Sequence, residues 1–512
     1  MCRKLMFLIS LVFVLAFVSV VSADEFEFTN EYVWSSLYIS PWNWDPVAPY
    51  GGPGSGDTAH TGSTEMPLII DGEVLVQRIR SEGQDAQTVY LIGDANVVLE
   101  QNWRTEDTQG LQTINIADNA RLVIEGDDDW AMRFRDHSEV ELNITDNAEV
   151  LLNADLAVSD DDDDFFTLNM DSGYLYVGNE DDGWRANSAA LQIFITGDAV
   201  VDAEDIRWRI KEQDQTTNVV IADDAIVTVL DGNFRTTGGE GNCNVTISDN
   251  AVLDVDGYFS FGEDNDFEAL GVLTMEGSAV LNCEELRLPQ DDGGNGFCQV
   301  NLNGGVITAE GRDHAEDDQW GMNVEAGVLI LDNDVTWEAE QDAAAGKITA
   351  YASRGDLVID YNNINPGKTT IMAIPNMRRA WNPAPAHGDT DVPTRGTVLS
   401  WNAGDFAEIH HLFFSADQAL VESRSLAVYM GGLATTSYAL PDLQLNTTYY
   451  WVIDEQDEAV IITEGLTWQF TTEESRSIEN FEQYTPNPVY VFDTWIDGCG
   501  DANGVGGNGT GS

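Results

Sequence analysis

The chain has 512 residues, enough for two to four domains, and it carries 89 Asp and Glu residues against 23 Lys and Arg residues. A formal net charge of −66 gives a surface that repels nucleic acid and anionic membranes and attracts cations. The charge therefore argues against nucleic acid as a partner, and it leaves either solubility in salty water or calcium binding as the role of the acidic residues.

Residues 1–23 have the pattern of a secretory signal peptide. Arg3 and Lys4 precede an apolar run, and a small-residue cleavage site ends at Ala23. The alternative is a transmembrane anchor, but polar sequence follows at once. Since no second long apolar run occurs, we expect a secreted, extracellular or cell-surface protein without membrane insertion.

Residues 24–90 are predicted to cap the N-terminal end of a solenoid. Trp42 and Trp44 precede a Gly/Pro-rich turn that ends at Asp57, and the strand-like sequence MPLIIDGEVLVQRI follows. This arrangement resembles the N-terminal segment of secreted bacterial parallel β-helix proteins of the adhesin and autotransporter-passenger type. The resemblance implies a segment that covers the open end of the core, which a solenoid requires.

Residues 91–375 are organised by a repeat. Segments such as INIADNARLVI (114–124), LNITDNAEVLL (142–152) and VTISDNAVLDV (245–255) share alternating apolar positions on either side of a two-residue turn and a small residue. The small residues recur every 22 to 28 positions, at Ala95, Ala120, Ala148, Gly173, Ala199, Ala225, Ala251, Ala279, Gly305, Gly327 and Gly355. Period-two alternation predicts strands, so the repeat predicts an all-β protein with a right-handed parallel β-helix of about eleven coils. A leucine-rich repeat lacks its consensus here, and a propeller blade needs about 40 residues.

Three cysteines fall on inward positions of this frame. Cys283 shares its position with apolar residues of other coils, while Cys243 and Cys298 share one position two coils apart. Two coils separate Cα atoms by roughly 10 Å, whereas a disulfide needs about 7 Å or less. We therefore expect three buried thiols rather than a bridge or a metal site.

Candidate ligand-binding residues lie where acidic loops meet aromatic residues. Asp runs precede Trp130, Trp184 and Trp320 in the stretches DDDWAMRFR, DDGWRANSA and DDQWGMNVE. One interpretation is structural: the loops are polar, and the aromatic residue opens the next strand. The other is a ligand surface, on which the Trp rings stack on sugars and the carboxylates hold calcium.

Candidate calcium ligands occupy the turn, two positions before the small residue. They are Asp118, Asp146, Asp171, Asp223 and Asp249. Consecutive coils would bring such carboxylates to about 4.8 Å from one another, where like charges repel and a divalent ion would relieve the repulsion. Calcium is the only cofactor that this pattern indicates.

An enzyme is the alternative, because polysaccharide lyases and polygalacturonases also have this fold. Of the polygalacturonase pattern the chain contains Arg209-Ile210-Lys211 but lacks the Asn-Thr-Asp and Gly-His-Gly elements. A lyase needs acids beside an Arg or Lys base, whereas the basic residues occur about one per coil with no visible cluster. The sequence therefore leans towards a protein without catalytic activity and identifies no catalytic residue.

The repeat ends before residue 376. Residues 376–473, with Trp401 in TVLSW and with Tyr449 and Trp451 in LQLNTTYYWVID, closely resemble a fibronectin type III domain. The resemblance implies a β-sandwich with Tyr449 at the tyrosine corner. Residues 474–512 resemble the start of a jelly-roll module of the kind often interpreted as carbohydrate-binding, and we expect this module to be truncated.

These features together predict a secreted, non-enzymatic multidomain protein. Its expected role is adhesion to, or recognition of, extracellular polysaccharide or cell-surface glycans. The alternative is a carbohydrate-active enzyme of the β-helix type, a polysaccharide lyase or a glycoside hydrolase.

Overall fold

In a computed structural model of the protein, the solenoid is a parallel β-helix of about 8 turns. The structure describes residues 25–28, 44–45, 57–61, 67–83, 86–108, 110–126, 130–135, 139–158, 165–178, 183–187, 190–209, 215–236, 241–261, 270–288, 296–313 and 320–475. The predicted signal peptide, the Asp runs before the three Trp residues and the predicted jelly-roll segment from residue 476 lie outside them. Within these ranges the chain divides into two units between Asn376 and Met377, and no helix is long and apolar enough to cross a membrane.

The first face of the solenoid is a sheet of 12 strands, each paired in parallel with the strand of the next coil. Its strands are Leu68–Ile70, Gln87–Leu91, Gln112–Ile116, Glu139–Ile144, Phe165–Met170, Ala190–Ile195, Thr216–Ile221, Asn242–Ile247, Leu270–Met275, Phe297–Leu302, Trp320–Val324 and Ile348–Ala350. Buried and half-buried residues alternate along them, as the period-two pattern predicted.

The second and third faces belong to one continuous sheet that folds around the core. Strands confined to the second face are Arg121–Ile124, Glu149–Leu152, Tyr174–Val177, Val200–Ala203, Ile226–Val229, Val252–Val255 and Val328–Asp332. Strands confined to the third face are Thr58–Thr61, Trp130–Arg135, Asp155–Val158, Trp184–Asn187, Ile206–Arg209, Phe234–Thr236 and Tyr258–Phe261. Four strands run across both faces, Glu73–Gly83, Asn96–Thr108, Val280–Arg287 and Val306–Asp313.

A tight turn joins the first face to the second. In one coil the N–H of Ala120 donates to the carbonyl of Ala117 at 3.1 Å, and Asp118 between them has a φ of 59°. Asp and Gly tolerate this left-handed backbone better than other residues, which is why the position is Asp or Gly in so many copies. At Gly197, with a φ of 62°, an added Cβ would lie 1.9 Å from the carbonyl oxygen of Asp171 in the preceding coil.

A stack of aromatic rings fills the core behind the third face. Trp184 contacts Trp208 with a centroid distance of 5.2 Å, Trp208 contacts Phe234 at 5.3 Å, and Phe234 contacts Phe259 at 5.2 Å. All four rings are at most 2 % exposed. Such contacts between aromatic rings add to the stabilisation from buried area and hold successive third-face strands in register.

The ends of the solenoid explain part of the difference between the expected eleven coils and the observed turns. The repeat copy around Gly327 forms Trp320–Val324 on the first face and Val328–Asp332 on the second, and the helix Thr336–Ala344 follows where a third-face strand would stand. The prediction of a coil around Gly355 is wrong, because Gly355–Tyr361 pairs antiparallel with Lys368–Pro375. This hairpin closes the second face by antiparallel pairing with Val328–Asp332.

The second unit begins at Met377 and has two sheets. One contains Trp381–Ala384, Val398–Asn402 and Ser437–Ala439, and the other contains Asp389–Val392, Ala407–Ser415, Tyr429–Leu433, Thr448–Asp457, Ile462–Thr463 and Trp468–Thr472. The short helices Gln418–Glu422 and Leu426–Val428 connect strands of the second sheet. Side chains from both sheets, among them Trp401, Trp451 and Phe470, share one buried cluster.

Candidate functional site

The three Trp residues predicted to bind sugar lie in two different environments. Trp184 and Trp320 open third-face and first-face strands and are 1 % and 2 % exposed. A buried ring has no free face for a sugar, so the ligand-binding interpretation is wrong for these two residues, which belong to the core. Trp130 is only half-buried and remains on the surface of the third face.

The Asp residues of the turn bind backbone N–H groups of the neighbouring coil. The N–H of Gly93 donates to Asp118 Oδ2 at 2.9 Å, that of Asp118 to Asp146 Oδ2 at 3.2 Å, and that of Gly197 to Asp223 Oδ2 at 3.1 Å. Asp171 and Asp249 instead accept a hydrogen bond from the hydroxyl of an adjacent serine. Among the described residues no three His, Cys, Asp or Glu side chains are grouped to hold a metal ion, so calcium binding stays a prediction.

The third face contains a column of arginines that the sequence analysis missed. Parallel pairing places Arg80 beside Arg104 and Arg104 beside Arg133, and then Arg185 beside Arg207 and Arg207 beside Arg235. Ala157 stands between the two groups, and Ser260 separates the second group from Arg287. We call these seven residues the arginine ladder: Arg80, Arg104, Arg133, Arg185, Arg207, Arg235 and Arg287.

The expectation that basic residues form no cluster is therefore wrong. Seven of the 23 Lys and Arg residues share a single column in a chain with a net charge of −66. The sequence does carry a signal for it, since each ladder arginine stands between two inward-facing positions, as in Trp103-Arg104-Thr105 and Ile206-Arg207-Trp208. The coils differ in loop length, so the column becomes visible only once the strand register is known.

Two carboxylates at the corner of the third face, one buried and one half-buried, orient part of the ladder. Asp155, 2 % exposed, accepts the N–H of Gly183 at 2.6 Å through Oδ1 and lies 3.2 Å from Arg185 Nε through Oδ2. Asp205 repeats this arrangement two coils on, accepting the N–H of Asn233 at 2.9 Å and pairing with Arg235. In each case the Asp of one coil holds the arginine of the following coil.

The ion pairs offset repulsion within the ladder. Two guanidinium groups one coil apart, at about 4.8 Å, repel by about 1 kcal/mol even at the dielectric constant of water. The side chain of Arg185 nevertheless remains 45 % exposed and that of Arg287 26 % exposed. The ion pairs therefore fix the positions of these ladder arginines, while part of their side-chain surface remains exposed to solvent.

Aromatic rings lie among the ladder arginines. The guanidinium carbon of Arg133 lies 3.9 Å from the centroid of the Trp130 ring, and that of Arg104 lies 5.8 Å from the same ring. Arg287 lies 3.8 Å from the Tyr258 ring. Cation–π contacts of this kind order the guanidinium groups and add apolar surface to a charged strip.

Three cysteines and two tyrosines of the solenoid have raised pKa values and keep their protons. Burial raises the pKa of the Cys243 and Cys283 thiols to about 12 and raises that of Cys298 as well. All three cysteines are free and buried, and Gly271 lies between Cys243 and Cys298, which confirms the predicted shared column. Burial, together with Asp202 and Glu204 as hydrogen-bond acceptors, also raises the pKa of Tyr174 and Tyr176. These groups are poorly suited to act as nucleophiles or bases.

No protein-family model matches the chain, and no curated protein matches it. The class that the fold defines is that of the parallel β-solenoids.

Proposed function

We propose that the protein is secreted and attaches, without catalysis, to extracellular polysaccharide through the third face of its solenoid. The observation that carries the proposal is the alignment of guanidinium groups with aromatic rings along that face, above all at Trp130 between Arg104 and Arg133. A long, straight strip with repeated identical groups fits a repetitive polymer better than a compact small molecule.

The chemistry of the strip favours binding over the alternative of a lyase or hydrolase. An arginine that acts as a lyase base must lose its proton, which needs surroundings that favour the neutral guanidine, whereas the described neighbours of the ladder include carboxylates paired with Arg185, Arg235 and Arg287. A charged guanidinium donates hydrogen bonds instead. Of the carboxylates that pair with the strip among the described residues, Asp155 and Asp205 also accept backbone N–H groups, and Glu285 pairs with Arg287. These are the features of an ordered binding surface rather than of an acid–base pair.

We further propose that the second unit is a fibronectin type III-like module that spaces or presents the solenoid. Two observations support this assignment. The hydroxyl of Tyr449 accepts the backbone N–H of Gln444 at 3.0 Å, which is the geometry of a tyrosine corner. Trp451 is fully buried against Trp468 with a centroid distance of 4.6 Å, at the centre of the cluster that both sheets share.

A panel of immobilised polysaccharides, neutral and acidic, tests the attachment with the full chain. We expect at least one polysaccharide to retain the protein, and Trp130→Ala to weaken that retention several-fold because the ring lies on the third face. Trp337→Ala is the matched control, since Trp337 is 67 % exposed on the helix Thr336–Ala344, at the end of the solenoid and several coils from Trp130. Retention by no polysaccharide, or equal loss in the two variants, would refute the proposal.

A further inference from the structure

We infer that the ligand of the third face is a linear, negatively charged polysaccharide that lies parallel to the solenoid axis and places one acidic group opposite each ladder arginine. This inference rests on the proposed function and adds to it the class of polysaccharide and its register. It follows from the spacing of the ladder, from its interruption at Ala157 and from the way its arginines are held.

The spacing of the ladder is that of a β-sheet. Neighbouring strands lie about 4.8 Å apart, so three arginines in successive coils span roughly 10 Å and the nine positions from Arg80 to Arg287 span roughly 40 Å. A polymer with one carboxylate or sulfate on every sugar repeats its charge at a similar distance. A polymer laid across the coils would meet only one arginine, whereas one laid along the axis meets the whole column.

Ala157 divides the ladder into two sets of three. The first set is Arg80, Arg104 and Arg133, and the second is Arg185, Arg207 and Arg235. The side chain of Ala157 points outward between them and carries no charge. A short ligand therefore occupies one set, and a ligand long enough to pass Ala157 engages both, as a bivalent ligand does.

The guanidinium groups are ordered before any ligand arrives. Asp155 orients Arg185, Asp205 orients Arg235, and the Trp130 and Tyr258 rings order Arg133 and Arg287. An arginine held in this way loses less conformational freedom on binding, and it presents its planar fork to a carboxylate or sulfate. Asp155 and Asp205 stay bound to backbone N–H groups at the corner. The ligand therefore shares the guanidinium groups of Arg185 and Arg235 with these carboxylates and does not displace them.

The strong negative charge of the rest of the chain restricts which polyanions bind. The net charge of −66 repels any anion at long range, but at physiological ionic strength this repulsion is screened beyond about 8 Å. Within that distance the guanidinium groups of the ladder attract an acidic group of the ligand, and Asp155, Asp205 and Glu285 are neighbouring carboxylates among the described residues. Duplex DNA, with one charge per about 3.4 Å on each strand, is out of step with the ladder, and it brings a second charged strand towards acidic surroundings.

The test measures binding of the full chain to charged oligosaccharides of defined length by calorimetry. The probes are oligouronates from the disaccharide to the nonasaccharide, with neutral oligosaccharides of equal length as the reference. We expect affinity to rise at the trisaccharide and again, more steeply, at the heptasaccharide, which reaches from Arg80 to Arg235 past Ala157. A sulfated polysaccharide and a DNA duplex form two further arms, and we expect the first to bind and the second not to bind.

Paired variants separate the ladder from the overall charge. Arg207→Gln removes the centre of the second set, and about a tenfold loss of heptasaccharide affinity is expected. Arg121→Gln removes the same charge on the second face, where Arg121 pairs with Glu149 at 2.6 Å, and its effect should stay within about twofold. Arg207→Lys keeps the charge without the planar fork and should give an intermediate loss, and it serves as the second variant if Arg207→Gln folds poorly. Ala157→Arg should strengthen heptasaccharide binding and leave trisaccharide binding unchanged.

The outcomes distinguish this inference from the function on which it rests. Binding of neutral and acidic polymers alike, with Arg207→Gln equal to Arg121→Gln, would overturn the charge register while leaving polysaccharide attachment intact. A smooth dependence on length, with no effect of Ala157→Arg, would overturn the division into two sets. Failure of every polysaccharide to bind would remove the proposed function itself.

Discussion

Replacing Ile221 with aspartate tests which side of each strand faces the core. Ile221 is 0 % exposed and stacks between Ile195 and Ile247 of the adjacent coils. Truncation of a buried isoleucine costs about 2–5 kcal/mol, and burial of an unpaired carboxyl group adds a further few. We therefore expect Ile221→Asp to lower the free energy of unfolding by at least about 4 kcal/mol. In a unit of this size that corresponds to a fall of roughly 5 °C or more in melting temperature.

The neighbouring Val220 provides the control. It is half-buried on the outer side of the same strand, beside Phe194 and Thr246. Val220→Asp introduces the same group into the same strand, and we expect it to cost no more than about 1 kcal/mol. Thermal unfolding followed by circular dichroism measures both variants.

The cost of Ile221→Asp should also depend on pH. A buried carboxyl group has a raised pKa, so its neutral form is tolerated and the penalty grows as the pH rises above about 4, the usual pKa of an unfolded aspartate. Equal melting temperatures for Ile221→Asp and Val220→Asp at neutral pH would refute the assignment of the inner and outer faces.

Three further predictions concern the thiols, the second unit and the acidic turns. Because burial raises the pKa of Cys243 and Cys283 to about 12, these two thiols should resist thiol reagents in the native chain at pH 8, and stability should fall as the pH rises above about 8.5, where thiols of the unfolded chain ionise; rapid labelling of Cys243 or Cys283 in the folded protein, located by peptide mass mapping, would contradict this. A fragment of residues 376–473 should fold alone and give dispersed amide NMR signals, and collapsed signals would count against the fibronectin-like assignment. Sodium chloride should raise the melting temperature by screening neighbouring turn carboxylates, chiefly Asp118 with Asp146 and Asp223 with Asp249, and millimolar calcium at constant ionic strength should raise it further. An absence of any additional calcium effect would leave these carboxylates with only their backbone hydrogen bonds.

The fold was largely predictable because a parallel solenoid repeats a local pattern. Alternating apolar residues, a left-handed Asp or Gly in the turn and a small buried Ala recur in each coil, and each has a local physical cause. Part of the overestimate of the number of turns arises because the same local pattern also fits an antiparallel strand. The strand that begins at Gly355 is antiparallel because its pairing partner is Lys368–Pro375, with which it forms a hairpin.

The candidate site was harder to predict because it depends on strand phase and register. Trp130 and Trp184 both follow Asp runs, yet Trp184 begins a strand on an inward position, whereas an irregularity in pairing between Trp130 and Met132 leaves Trp130 at the surface. The arginines were visible individually but are separated by loops of unequal length. Their alignment follows only from the pairing of third-face strands, which no single stretch of sequence contains.

Because the third-face strands stack in parallel, the number of coils that the gene encodes sets the length of the arginine ladder. Each coil pairs only with its two neighbours, and each contributes one position to the column. Duplication or loss of a coil would therefore lengthen or shorten the charged strip by a single step of about 4.8 Å without disturbing the rest of it. Recombination between similar repeats would thus change the length of the charged strip in whole coils, a change that the slow accumulation of point mutations does not offer.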